Sequence, residues 1–134
     1  MSVHEILQPA GWDRPKGYAN GIAATGRTVF TAGVIGWDAQ ENFVATDFAG
    51  QFRQILVNTL AILAEGGAAP EHIVRMTWYI TDRNDYLASA REVGAIYREL
   101  LGRNFPTMAV VIVAGLIEPT AKLEIETTAM VPLP

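Results

Sequence analysis

The sequence predicts an α+β fold, ordered β-β-α-β-α-β-β, in which one sheet carries two helices on a single face. Three observations predict it. Two stretches space apolar residues for one helical face and close on glycine, two others alternate apolar and polar residues, and one continuous apolar run is entered through a proline. Half of the 134 residues are hydrophobic and mean hydropathy is +0.19. That length suits one domain, 1–134, with a real core. Its apolar share is high for so small a domain, so the second face of the sheet is expected to be covered by another subunit.

The elements follow in order. "GRTVFTAGVIGWD" holds β-branched and aromatic residues between glycines, which predicts a strand over Thr28–Ile35 with a close approach or bulge at Gly33. "YANGIAAT" is its expected hairpin partner. "TDFAGQFRQILVNTLAILAEGG" opens on Thr46 or Asp47 as cap and sets Phe48, Phe52, Ile55, Leu56, Leu60 and Leu63 on one helical face. It ends at Gly66 and Gly67. "HIVRMTWYITD" alternates, with Val74, Met76, Trp78 and Ile80 facing one way and Arg75, Thr77 and Tyr79 the other. A second helix is capped by Asn84 or Asp85, carries Tyr86, Ala90, Val93, Tyr97 and Leu100 as its stripe, and stops at Gly102. "NFPTMAVVIVAGL", Asn104–Leu116, reads as a strand buried on both faces. In "AKLEIETTAMV", Leu123, Ile125, Thr127 and Ala129 oppose Lys122, Glu124, Glu126 and Thr128.

Composition narrows the chemistry. The net charge is −4 and the pI near 5.1, with no basic cluster, so phosphate-driven binding of nucleic acid has no electrostatic footprint. There is no cysteine, and His4 and His72 stand far apart in sequence, so no metal or other cofactor is expected. "MSVHEILQPAGWDRPKG" lacks a basic start followed by an apolar stretch, and no apolar run reaches membrane length; no membrane partner and a cytoplasmic location are expected. "GGAAP" and "GVIGWD" match no phosphate-cradling spacing.

Single residues say less. Glu124 and Glu126 share a strand face and could hold water, although carboxylates there are usually just solvated. Tyr18 could offer a hydroxyl at a pocket rim, or pack its ring and wet its tip. Trp37 is evenly balanced between lining a pocket and closing the core, Trp78 belongs to the core, and His72 reads as an exposed turn residue.

Taken together and in order, "GYANG", "TVFTAGVIG", "QFRQILVNTLAILAEGG", "IVRMTWYITDRNDY", "NFPTMAVV" and "AKLEIETTAMV" resemble the Rid family of reactive-intermediate imine deaminases, also catalogued as L-PSP endoribonucleases. The resemblance spans nearly the whole chain. It implies a fold of the trimeric chorismate mutase type, with three clefts between subunits. It also implies a reaction in which an enamine tautomerises to an imine, water adds to the imine carbon, and ammonia leaves. Position by position, Tyr18 matches the cleft tyrosine, Gly33 and Val110 match residues whose backbone meets the substrate, and Glu124 matches the carboxylate that positions water. "FPTM" stands where deaminating members carry "FPAR", so Met108 replaces the arginine that grips the carboxylate of an α-imino acid. Gly94 replaces an asparagine, and the spacing from "NDY" to "NFP" differs from the family's. Small imino acids are therefore poor candidates. A larger or differently anchored imine, of the aminomuconate type, suits Met108, Val34, Ile35 and Trp37 better. Two alternatives stand beside this: a small-metabolite binder without turnover, and, more distantly, an endoribonuclease.

Overall fold

A computed structural model describes residues 3–134; of the N-terminal stretch, Met1 and Ser2 lie outside it. Its elements are β1 (Glu5–Leu7), β2 (Gly21–Ala23), β3 (Arg27–Phe30), α1 (Phe48–Glu65), β4 (Ile73–Ile80), α2 (Arg83–Ala88), α3 (Ala90–Leu101), β5 (Thr107–Ile112) and β6 (Leu123–Val131). The main sheet runs β3-β6-β4-β5. Only β4 and β5 are parallel, and the helical segment between them supplies the crossover that a parallel pair requires. The α+β class and the one-sided arrangement of helices are as the sequence predicts.

Asp47 caps α1, its carboxylate accepting from the Gly50 N–H at 3.2 Å. Phe52, Ile55, Leu56 and Leu63 point from α1 into a core completed by Met76, Trp78 and Ile80 of β4 and by Leu123, Ile125 and Ala129 of β6. The alternation in β4 and β6 therefore separates a helix-covered face from an open one. Gln51 fastens α1 to the loop before β6. It is 1% exposed, donates to the carbonyls of Ala45 and Thr120, and accepts from the Lys122 N–H at 2.8 Å.

Three expectations are corrected. "YANGIAAT" does not pair with β3. Gly21–Ala23 pairs instead with Glu5–Leu7, and this two-stranded sheet reaches the main one through an Ala19–Thr107 bridge beside β5. The turn at Gly26, with φ 154°, sends β3 to the opposite edge, where β6 offers a nine-residue partner. The second helix is two segments. Asp82, not Asn84 or Asp85, caps the first, because its carboxylate accepts from the N–H groups of both those residues. Finally, the strand within Asn104–Leu116 is only Thr107–Ile112 and is not buried on both faces: Val110, Val111 and Ile112 are exposed. Past Thr107 its outer edge pairs with no strand among the described residues.

Candidate functional site

The sheet brings the predicted site residues together in two groups, one on each face. The first lies on the open face. From Phe30 opposite Thr128 to Val34 opposite Ile125, the β3 side advances four residues while β6 advances three, which is the one-residue surplus of a β-bulge. Thr31 anchors the bulge, its N–H donating to the Thr127 carbonyl and its Oγ1 accepting from the Thr127 N–H. Gly33 lies inside it, as its sequence predicts, and faces Glu124. A Cβ on Gly33 would lie 2.8 Å from Glu124 Cδ, so glycine is what lets the carboxylate lie against the backbone there.

The two carboxylates of β6 differ. Glu126 accepts the Tyr79 hydroxyl at 2.8 Å, a bond that is the main reason the Tyr79 phenol is held above its ordinary pKa. Glu124 is half-buried and accepts no side-chain hydrogen bond or ion pair among the described residues, which leaves its oxygens open to a water or a ligand. Position alone separates the two carboxylates, which is why alternation in the sequence does not.

The second group lies on the helix side, at the β5 edge. Register places Met108 beside Met76 and Val110 beside Trp78, so both side chains point toward α3. There they line an open groove of about 600 Å³ together with Tyr18, whose loop is held by the Ala19–Pro106 backbone bond. Aromatic rings dominate the wall: Tyr18, Trp78, Tyr86, Tyr97 and Phe105. Tyr97 and Phe105 stack at 5.6 Å with 6° between planes, and the Tyr97 hydroxyl donates to the Asn104 carbonyl. Burial raises the pKa of that hydroxyl far above the usual phenol range, so it stays protonated and donating. Met108 packs partly against the core and partly into the groove, which makes it both filler and floor. A second cavity of about 610 Å³, under the β1–β2 hairpin, shares Tyr18 and Phe105 as its wall but holds none of the other predicted residues.

Two predicted residues lie elsewhere. Val34 is 8% exposed, its side chain is in the core, and its N–H and C=O both pair with Ile125. Trp37 is half-buried against Phe43, and its carbonyl accepts from Asn58; it lines neither cavity. His72 turns out half-buried, its Nδ1 accepting from the Ala69 N–H and closing the short turn before β4. Sequence reasoning missed Lys16, Phe105 and Arg98 of the groove. Arg98 had a legible signal, since it follows Gly94 by four residues on one helix face.

The comparisons with known proteins fit this geometry. The family model described as "Endoribonuclease L-PSP" matches residues 12–131. TdcF of Escherichia coli K12, whose name describes a reactive intermediate deaminase, is 35% identical over 113 residues, 84% of this chain and 85% of the relative. A solved structure of E. coli TdcF with bound serine matches at 30% identity with TM-score 0.67, covering 95% of this chain and 98% of that one. YyfB from Yersinia pestis, described as a protein of unknown function of the conserved Rid family, matches with TM-score 0.84 at 25% identity, covering 96% and 98%. Along nearly its whole length, in sequence and in fold, this chain belongs to the L-PSP, or Rid, family.

Proposed function

We propose that this chain is an imine or enamine deaminase, one domain over residues 1–134, that works as a homotrimer without a cofactor or metal. Its substrate would be a metabolite larger than the small α-imino acids, of the aminomuconate type. The observation that carries the reading is the unengaged Glu124 carboxylate against Gly33, on a sheet face that this chain leaves open. That face also exposes Phe30, at 70%, and Val111, at 40%. Such apolar surface favours a covered face. Within one chain the sheet separates Glu124 from the Met108–Val110 groove. A trimer that set the open face of one subunit against the β5 edge of the next would complete a cleft from both groups.

The chemistry asked of such a cleft is small. The imine carbon is already electrophilic; Glu124 holds the water, accepts one of its protons as the oxygen adds and passes it to the nitrogen. The remaining hydroxyl proton follows by the same route as the C–N bond breaks, leaving a carbonyl and ammonia. The bulge backbone at Gly33 and the open outer edge of β5 at Val110 present main-chain groups to polarise the substrate. Glu124→Gln should keep the assembly, read by solution mass, and slow ammonia release by about a hundredfold or more. Unchanged turnover, or a stable monomer at micromolar concentration, would remove this site assignment.

Met108 favours a second reading. A thioether cannot pair with a carboxylate, so the groove would bind a metabolite without converting it. Binding without ammonia release from any imine would establish that alternative. RNA cleavage is the weaker third reading, since 10 basic residues against 14 acidic ones give no track for phosphates.

A further inference from the structure

We infer that Arg98 is the anion anchor of the Met108 groove, and that the groove takes a flat conjugated or aryl-bearing imino or enamino acid, held by its carboxylate at Arg98. The inference rests on the deaminase reading for the word imine; the anchor itself stands on the geometry of α3 and β5.

Four observations carry it. The groove floor is uncharged, formed by Met108, Val110 and Trp78. No aspartate or glutamate lines it, and its two charged residues, Lys16 and Arg98, are both cations, so the local field selects an anion. Arg98 makes no side-chain hydrogen bond or ion pair among the described residues, in contrast to Arg53, which α1 pairs with Glu99 at 2.7 Å. Its five donors are therefore free for a planar acceptor. Lastly, Gly94 lies one turn before Arg98, and the guanidinium Nη1 is 3.5 Å from where a Gly94 Cβ would be. The guanidinium rests over a position kept bare, so any polar side chain longer than alanine at 94 would compete for its space.

The aromatic wall sets the body of the ligand. Phe105, backed by the stacked and buried Tyr97, and the exposed Tyr18 offer ring surface to a flat π-system, which gains from offset or edge contacts that a small aliphatic body cannot make. Lys16 adds charge to the rim as a mobile, strongly hydrated ammonium, so it strengthens anion preference without fixing orientation.

The test uses trans-cinnamate as probe and cinnamamide as its neutral counterpart, titrated calorimetrically into the assembled protein. Wild type should bind cinnamate at least tenfold more tightly than the amide. Arg98→Gln, at an exposed helix position, should erase that preference; Arg98→Lys should keep part of it. Gly94→Asn should weaken cinnamate about tenfold by displacing the guanidinium. Cinnamate affinity that is undetectable in wild type, or unchanged in Arg98→Gln, would overturn the inference. Turnover is read separately, on 2-imino-3-phenylpropanoate generated from phenylalanine by an amino-acid oxidase, as competition with semicarbazide trapping. Arg98→Gln should raise KM at least tenfold with little change in kcat. If cinnamate binds through Arg98 but no imine is hydrolysed, the deaminase reading fails and the anchor stands. If imines are hydrolysed with KM insensitive to Arg98→Gln, the anchor fails and the deaminase reading stands.

Discussion

Alanine at Gly33 separates the placing of Glu124 from its chemistry. Gly33 does not occupy the left-handed region, so its backbone accepts a side chain without strain. The new Cβ would lie 2.8 Å from Glu124 Cδ and 3.1 Å from its Cγ, against about 3.4 Å for ordinary contact, and the carboxylate oxygen nearest Gly33 must retreat further than either. The carboxylate is half-buried and unengaged, so it can rotate away without breaking a hydrogen bond. A shift on the order of 1 Å in a positioned group costs about a hundredfold in rate, while Gly→Ala at an unstrained site changes stability by only about 0.4–1 kcal/mol, in the stabilising direction. Gly33→Ala should therefore lose about a hundredfold in ammonia release with an unchanged or slightly raised melting midpoint. In a Glu124→Gln background the same alanine should add little, because both changes act on one group. Full turnover by Gly33→Ala beside a crippled Glu124→Gln would refute the claim that catalysis depends on the carboxylate lying against the bulge. A lowered midpoint would refute the claim that the side chain moves freely.

Three further outcomes are expected. Wild type should be slow on 2-aminoacrylate and 2-iminobutyrate, and Met108→Arg should speed both by supplying a charge near the groove floor; a folded variant with no gain, in the same ammonia assay, would mean that more than the clamp differs. Gln51→Leu should destabilise by about 2–3 kcal/mol, near 1 kcal/mol for each of its three hydrogen bonds, measured by urea unfolding at fixed protein concentration. For Tyr97 the folded state holds the proton more tightly than the unfolded one, so its contribution is full below about pH 10 and is lost as pH rises beyond that. Tyr97→Phe should accordingly cost about 1 kcal/mol at neutral pH, and its melting midpoint should converge on that of wild type between pH 10 and 11. A constant gap would show that the hydroxyl does not couple to alkaline stability.

Short-range chemistry is legible in the order of residues alone. The α1 stripe from Phe48 to Leu63, its cap at Asp47, the alternation in β4 and β6 and the bulge at Gly33 are all written locally, because spacing, capping oxygens and a missing Cβ act within a few residues. Which carboxylate is free, and what stands opposite it, is decided by tertiary structure. Glu124 and Glu126 are indistinguishable along the strand until Tyr79, 47 residues from Glu126 in sequence, donates to Glu126 and leaves Glu124 open. The partner of β2 could not be read from its neighbours either, since pairing with β1 or β3 is chosen by the chain's turn at Gly26 and by the long edge of β6. Met108 illustrates both levels. Its sequence position shows that no charge stands at the groove floor, and the four-residue spacing on α3 puts the guanidinium of Arg98 over the bare Gly94. Only the packing of α3 beside β5 brings that guanidinium into the groove that Met108 lines, because a helix and a strand meet through packing that no local pattern encodes.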